Sequence, residues 1–358
     1  MRFPFKTDYR QDIRLFELPI DVTWYALLAA IVLIAPLWLD SYYISQLTLI
    51  FIYAVVSVGL MLLSGYTGQI SIGHAAFLAV GAYTEAVFAK WGAPFLVSLP
   101  AAFIASGLIG IIVGLPALRV KGIYLAIATL AFGFIVEEAL TRWESVTGGS
   151  NGLQLGHIQL PGLAIDSGTK FYYLSLAILV LILLGTLNLL RSPTGRAFVA
   201  IRDSQISAQS MGINLAKYKT TAFALSAAIT GVAGVLYAHK LRFISPEQFG
   251  IQMSVELLMM IVIGGLGSLH GAILGAIFII ALPEAISAFK DYLPPAIAQQ
   301  TGLQPTIFGI VLIGFILFEP EGLHGRWVKI RTYFELFPFY RRAMFSRQKT
   351  YMKSERLN

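Results

Sequence analysis

The chain has 358 residues, of which 57% are hydrophobic and 13% charged, with a mean hydropathy of +0.73 and a formal net charge of +7. Soluble domains carry about 25% charged residues. So little charge cannot cover so much apolar surface, which excludes a soluble globular protein, a disordered chain and a collagen-like repeat, and leaves a polytopic membrane protein.

Residues 1–22 are polar and of mixed charge. They are too long and too acidic for the n-region of a cleaved signal peptide, so they are read as a cytoplasmic N-terminal segment before a retained span. A helix needs about 20 apolar residues to cross about 30 Å of hydrocarbon. Ten stretches qualify, at about 23–39, 44–63, 74–89, 95–118, 122–140, 171–190, 220–239, 254–263, 272–288 and 305–319. None shows the period-two alternation of a membrane β-barrel. The predicted fold is therefore all-α, a polytopic transmembrane helical bundle of about ten spans. With the N-terminus inside, 20 of the 26 Lys and Arg fall on inner segments and 6 on outer ones. That bias places both termini in the cytoplasm. It also explains the net charge without nucleic acid. The organisation that follows is an N-terminal segment 1–22, a membrane domain 23–323 with an inner loop at about 191–219, and a basic, aromatic cytoplasmic tail 324–358. The tail carries Trp327, Tyr333, Phe334, Phe337, Phe339 and Tyr340 and is expected to lie against anionic lipid or to be solvated.

Several segments carry more than hydrophobicity. Between the second and third stretches, Gly65-Tyr66-Thr67-Gly68-Gln69-Ile70-Ser71-Ile72-Gly73-His74 breaks an apolar run with glycines and small polar residues. Non-helical backbone at membrane depth must line a cavity or be buried in protein. The segment reads either as a pore-lining re-entrant piece or as a tight inter-helix turn packed through small residues. The outer loop of about 141–170 is Gly-rich and too short for a ligand-binding domain. The inner loop from Arg191 to Ile213 places Pro193 at a helix start, after which Phe198, Ile201, Ile206 and Met211 form an apolar face opposite Arg196, Arg202 and Asp203. A short amphipathic helix ending near Gly212 would dock in a partner's groove or rest on the bilayer. Gly264 to Gly271, containing Ser268 and His270, is a shorter version of the first Gly/Ser/His segment. Acids inside spans cost about 2.5–3.5 kcal/mol at mid-bilayer. Glu137, Glu138 and Glu284 lie at span ends, whereas Glu85 and Glu256 are the candidates for a cavity.

Other chemistry is missing. The absence of Cys removes disulfides, Cys-ligated zinc and thiol catalysis. There is no phosphate-binding Gly-rich loop; Lys219-Thr220 lacks the preceding Gly. The five His are scattered and form no metal-ligand spacing. No Ser-His-Asp set can be assembled. The chain is thus expected to pass a solute, with no catalytic residue, no metal and no cofactor of its own.

The motifs, taken together, resemble the permease subunits of branched-chain amino acid ABC importers, the LivM-type chain in particular. The resemblance rests on five segments in order over roughly 40–325: the 65–74 segment, Leu118-Arg119-Val120-Lys121-Gly122-Ile123-Tyr124 with the loop Thr147-Gly148-Gly149-Ser150-Asn151-Gly152, the 191–213 loop, Gly264–Gly271, and Glu319-Pro320-Glu321-Gly322-Leu323. The chain departs from the family pattern at Phe134, where an acid is expected, and in the length of its tail.

The resemblance implies a permease domain working with a second, related LivH-type permease chain, two cytoplasmic ATPase subunits that consume ATP, and a periplasmic binding protein, all at a bacterial inner membrane. It implies ATPase coupling through Gly195, Arg196, Phe198, Ala200, Ile201, Arg202, Asp203 and Gly212. Arg196 and Arg202 are expected to pair with acids of the ATPase, and Phe198 and Ile201 to fill its groove. The candidate pathway residues are Thr67, Gln69, Ser71, His74, Ser268, Glu85 and Glu256. The uncharged members of this set suit a net-neutral zwitterion or an amide. Branched-chain amino acids are the default solute, with urea, short amides and aromatic acids as alternatives. A secondary transporter or channel is the alternative class, motivated by the Gly-broken spans and the two acids.

Overall fold

The computed structural model describes residues 19–120, 122–160, 163–290, 302–319 and 321–336. Most of the predicted N-terminal segment, Lys121 and the tail beyond 336, including Phe337, Phe339 and Tyr340, lie outside the described residues. The described chain is a helical bundle. Its long helices are α1 (Pro19–Trp38), α2 (Ser41–Leu60), α3 (His74–Lys90), α4 (Phe95–Gly114), α5 (Ile123–Arg142), α7 (Gly168–Arg191), α10 (Leu215–Leu241), α11 (Ile251–Gly264), α12 (Leu269–Lys290), α13 (Leu303–Phe318) and α14 (Gly322–Leu336). Three short ones, α6 (Glu144–Thr147), α8 (Pro193–Asp203) and α9 (Gln205–Ser210), sit in connections. Seven segments are long and apolar enough to cross a membrane: α2 with the turn that follows it, α4, α5, α7, α10, α11 with the short turn before it, and α12. Two shorter apolar pieces lie in α1 and α13, and α3 has 17 residues.

Two of the seven form the centre. In α2 and α10, 78% of the apolar window is buried, against 17–44% in the other five. Helix α10 packs most extensively on α4, α3 and α2, and α2 also carries α7 and α12. Small residues allow the closest crossings. A Cβ at Gly81 of α3 would strike the Gly231 carbonyl of α10, and one at Gly234 would strike the Leu78 carbonyl of α3. The α11–α12 hairpin closes in the same way, Gly264 lying against Gly271 and Gly275 against the Met260 carbonyl. Peripheral helices turn large apolar side chains outward, among them Leu28 and Ile31 of α1, Ile104 and Leu108 of α4 and Leu181 and Leu184 of α7.

The breaks between helices follow local sequence. Helix α2 widens into a π-helical turn over Met61–Tyr66. Non-helical backbone then runs to Gly73 and takes a left-handed conformation at Gly68 (φ 68°). The 141–170 loop is not shapeless: Leu153–Gln154 (β1) pairs antiparallel with Phe243–Ile244 (β4), and Ile158–Leu160 (β2) with Leu163–Ile165 (β3).

The bundle has two ends. One gathers the 65–73 segment, α8–α9, residues 265–268 and the start of α14. The other gathers the loop of β1–β3, Lys240 bonded to Ser45 (2.5 Å), and Glu284 accepting from Tyr42 (2.5 Å) and Gln46 (2.8 Å).

Candidate functional site

The 191–213 loop folds as two helices rather than the single one expected. Ser192 caps α8 by accepting from the Thr194 N–H, and Pro193 occupies the first helical position, where no N–H is needed. Ser204 is extended (φ −160°, ψ 113°), which ends α8, and its side chain accepts from the Ser207 N–H to start α9. Gly212 (φ 84°) closes α9 in the left-handed conformation that suits glycine. Gly195 is set by packing: a Cβ there would enter the Leu190 backbone, so α8 could not fold back on the end of α7.

The apolar face of this loop divides. Phe198 and Ile201 are buried inside the chain, at 0% and 1% exposure, with the Phe198 ring edge-on to Tyr218 of α10 at 6.4 Å. The expectation that they fill a partner's groove is therefore corrected, because their own bundle covers them. Ile206 and Met211 are the exposed members, at 80% and 81%. Beside them lies a cleft of about 560 Å³ between the Pro116–Leu118 turn and α9–α10, lined by Leu118, Gln205, Gln209, Ile213 and Lys219. Arg202 also points inward: its Nη1 donates to the Gly65 carbonyl (3.2 Å) and its Nε to Asp203 Oδ1 (3.2 Å). Arg196 donates to the Arg191 carbonyl (3.2 Å), and both Arg196 and Asp203 are exposed, while Ala200 is half-buried.

The polar residues of the 67–74 segment lie buried between α2, α3, α5 and α10. Thr67 donates to the Leu63 carbonyl and accepts from Gln69 Nε2 (3.1 Å). The Gln69 Oε1 is buried with no partner among the described residues. Ser226 of α10 donates its one hydroxyl proton to the Gly59 carbonyl (2.6 Å), so it must accept from His74 Nε2 (2.7 Å). That assigns the proton of a neutral ring to Nε2 and leaves Nδ1 to accept from Ser71 (2.9 Å). Thr129 of α5 accepts from the Ile72 N–H (3.0 Å). Ser268 accepts from the Gly271 N–H (3.3 Å), beginning α12. At the opposite end, Glu85 and His239 form a buried pair (Oε1 to Nε2, 2.8 Å), with side chains 3% and 6% exposed. Glu256 is half-buried beside Gln252 (3.4 Å). Among the described residues no group of three or more potential metal ligands occurs.

Comparison with known proteins places this helical bundle in a family. The family model for the permease component of branched-chain amino acid transport systems matches residues 42–318. The chain belongs to this family. Among relatives, it is 34% identical over 301 residues to the high-affinity branched-chain amino acid transport system permease protein LivM of Salmonella typhimurium, covering 77% of this chain and 68% of that one. The Escherichia coli LivM is 33% identical over 305 residues, with the same coverage. The autoinducer 2 import system permease protein LsrC of Salmonella paratyphi B is 28% identical over 313 residues, covering 82% of this chain and 84% of the relative. No solved structure matches the chain.

Within this permease family frame, the expected residues fall into separate places. Thr67, Gln69, Ser71 and His74 lie on one segment, and Arg202 and Gly267 bring the 191–213 loop and the Ser268 turn to its start. Glu85 and Glu256 are not part of that cluster: among the described residues, no hydrogen bond joins either acid to it. Sequence reasoning missed Ser226, which has no motif around it, and the partnership of His239, 154 positions from Glu85. It also missed the pressure of α14 on the second glycine break, where Gly322 lies against Gly265 and Ile263. The Gly322 break in the sequence was the available signal for that contact.

Proposed function

We propose that this chain forms one half of the transmembrane path of an ABC importer for branched-chain or other hydrophobic amino acids. Two separate ATPase subunits drive it, a second LivH-type permease chain completes it, and a periplasmic binding protein feeds it, in the bacterial inner membrane. The observation that carries the reading is family membership over 42–318 joined to an exposed apolar step, Ile206 and Met211, on the polar loop between α7 and α10. Exposed large apolar side chains beside a cleft, on a segment too polar to enter lipid, suit a protein partner. Arg196, Asp203 and Gly212 flank that step and form, with it, the proposed ATPase contact. Phe198 and Ile201 act from inside, anchoring α8 to the bundle so that force on the step moves the helix as a unit.

The membrane path is proposed to run along the buried Thr67–His74 segment and Ser268, opened when the bundle rearranges against its partner chain. Ten crossings, by α1–α5, α7 and α10–α13, return both termini to the cytoplasm, with 1–22 and 324–358 as the cytoplasmic ends of a 23–323 permease domain. ATP is consumed by the partners, and this chain holds neither nucleotide nor metal.

The test is uptake into proteoliposomes holding both permease chains and the ATPases, with binding protein and solute outside and ATP in the lumen. Leu, Ile or Val uptake that requires both ATP and binding protein is expected. Uptake driven by a proton gradient with this chain alone would identify a secondary transporter instead. The LsrC relatives make solute identity a separate question. Uptake that needs ATP but ignores Leu, Ile and Val in favour of urea, short amides, aromatic acids or autoinducer 2 would keep the architecture and replace the solute.

A further inference from the structure

The family resemblance implies that Arg202 faces an ATPase, yet the side chain is engaged within the chain. Helix α2 ends at the π turn and α11 ends at Gly264. Their C-termini meet: a Cβ on Gly65 would stand 2.7 Å from the Gly267 N–H nitrogen. The last carbonyls of a helix lack intrahelical donors, and the backbone dipoles leave that end negative. Two such ends converge here, and Arg202 bonds a carbonyl of the first and lies against the turn that follows the second. Its Nη1 donates to the Gly65 carbonyl and would lie 2.9 Å from a Cβ on Gly267. Its stem runs along Gly68, where a Cβ would meet Arg202 Cγ at 3.2 Å. Gly68 and Gly267 leave the space that the guanidinium and its stem occupy. Asp203 holds the Nε side of the fork, and 37% of the Arg202 side chain remains exposed.

We propose that Arg202 is a positioning residue, an internal strut that ties α8 to the Gly65 carbonyl at the end of α2, packs against Gly267 in the turn after α11, and carries displacement of the coupling loop into both glycine breaks. It bonds the Gly65 carbonyl with one prong of a planar fork whose Nε side Asp203 holds, a geometry that a Lys point charge reproduces only in part. The inference rests on the importer reading above and reassigns this one residue from docking to transmission. Force applied at Ile206 and Met211 then reaches the two interrupted helices, whose interruptions lie beside the buried Thr67–His74 segment.

The test uses the reconstituted transporter with both permease chains, ATPases and binding protein. Wild type is measured first; if it captures no ATPase or imports without ATP, the importer reading fails and the strut falls with it. In Arg202→Gln the ATPases are expected to co-purify as before and ATP hydrolysis to continue, while solute imported per ATP falls by about tenfold or more, the cost of a lost charge-assisted hydrogen bond. Arg202→Lys should recover part of that ratio. Loss of ATPase capture by a correctly inserted Arg202→Gln chain, or an unchanged ratio, overturns the proposal.

A second measurement covers a variant that fails to insert. The chain has no Cys, and a Cβ at position 68 would lie 3.6 Å from the Arg202 Cβ, inside the disulfide range of about 3.5–4.5 Å. Gly68→Cys with Arg202→Cys should therefore lose thiol labelling on mild oxidation of the assembled transporter. Persistent labelling overturns the contact.

Discussion

His74 shows how a polar residue acquires its role from distant partners. Its ring is fully buried and joins three helices, through Ser71 beside it, Ser226 on α10 and, through Ser226, the Gly59 carbonyl of α2. Replacing Ser226 with Ala strands a buried carbonyl and a buried N–H together, at about 1–3 kcal/mol each. The expected outcome is a clear drop in the thermal midpoint of the detergent-solubilised chain, with most of it retained in Ser226→Thr; an unchanged midpoint in Ser226→Ala would mean that this bond chain contributes nothing. Glu85 poses a different question, whether it serves the solute or only His239. Removing one partner of a buried pair costs about 3–5 kcal/mol, whereas replacing both by apolar residues is often neutral. Glu85→Ala is thus expected to destabilise strongly, and Glu85→Leu with His239→Leu to restore the midpoint. Uptake restored along with stability in the double variant assigns the pair to structure; uptake lost despite restored stability assigns Glu85 to the path.

At the scale of elements, glycines on the central helices act by how close they allow the backbones to come. Gly234→Val would push a side chain into the Leu78 carbonyl, and overpacking of this kind costs about 1–3 kcal/mol or more. Gly185 of α7 has open space where its Cβ would go, and Ala there gains about 1 kcal/mol of helix propensity. Proteolysis of the two variants in detergent should separate them, Gly234→Val being cut faster and Gly185→Ala no faster than wild type. The helices themselves were legible in the sequence, because apolar length alone marks a span: the stretch expected at 74–89 is α3 at His74–Lys90, and that at 272–288 is α12 at Leu269–Lys290. The facing of the coupling loop was not legible. Phe198, Ile201, Ile206 and Met211 share an apolar pattern, but pattern does not say which of them the chain covers itself, and Ser204 turns the last two outward. The internal contact of Arg202 was not legible either, since its partner carbonyl lies 137 positions away. Ile206→Asp and Met211→Asp follow from that division. Both should lower ATPase co-purification without lowering the thermal midpoint of the isolated chain, and unaltered capture would move the docking surface elsewhere.

For the molecule as a whole, the contacts between distant helices constrain how the chain threads a bilayer. Tyr25 bonds His270 (2.7 Å), Arg202 bonds Gly65, and a Cβ on Gly265 would touch His324 at 3.1 Å. Residues in contact share a side, so between each successive pair of 25, 65, 202, 270 and 324 the chain must cross an even number of times. Among the described residues, the long helices in those intervals are α1 and α2, then α3, α4, α5 and α7, then α10 and α11, then α12 and α13. At the other end, Ser45 with Lys240 and Gln46 with Glu284 obey the same parity. The ten crossings proposed above satisfy this parity, as does any arrangement with an even number of crossings in each interval. Because the natural chain has no Cys, single cysteines report sidedness without background. Trp91 and Phe334, 72% and 73% exposed, are suitable sites together with Ile206. An impermeant maleimide added to intact spheroplasts should label Trp91→Cys at once and label Ile206→Cys and Phe334→Cys only after the membrane is opened. Labelling of residues 206 and 334 from opposite sides would break the parity and, with it, the shared face on which the coupling loop, both glycine breaks and α14 meet.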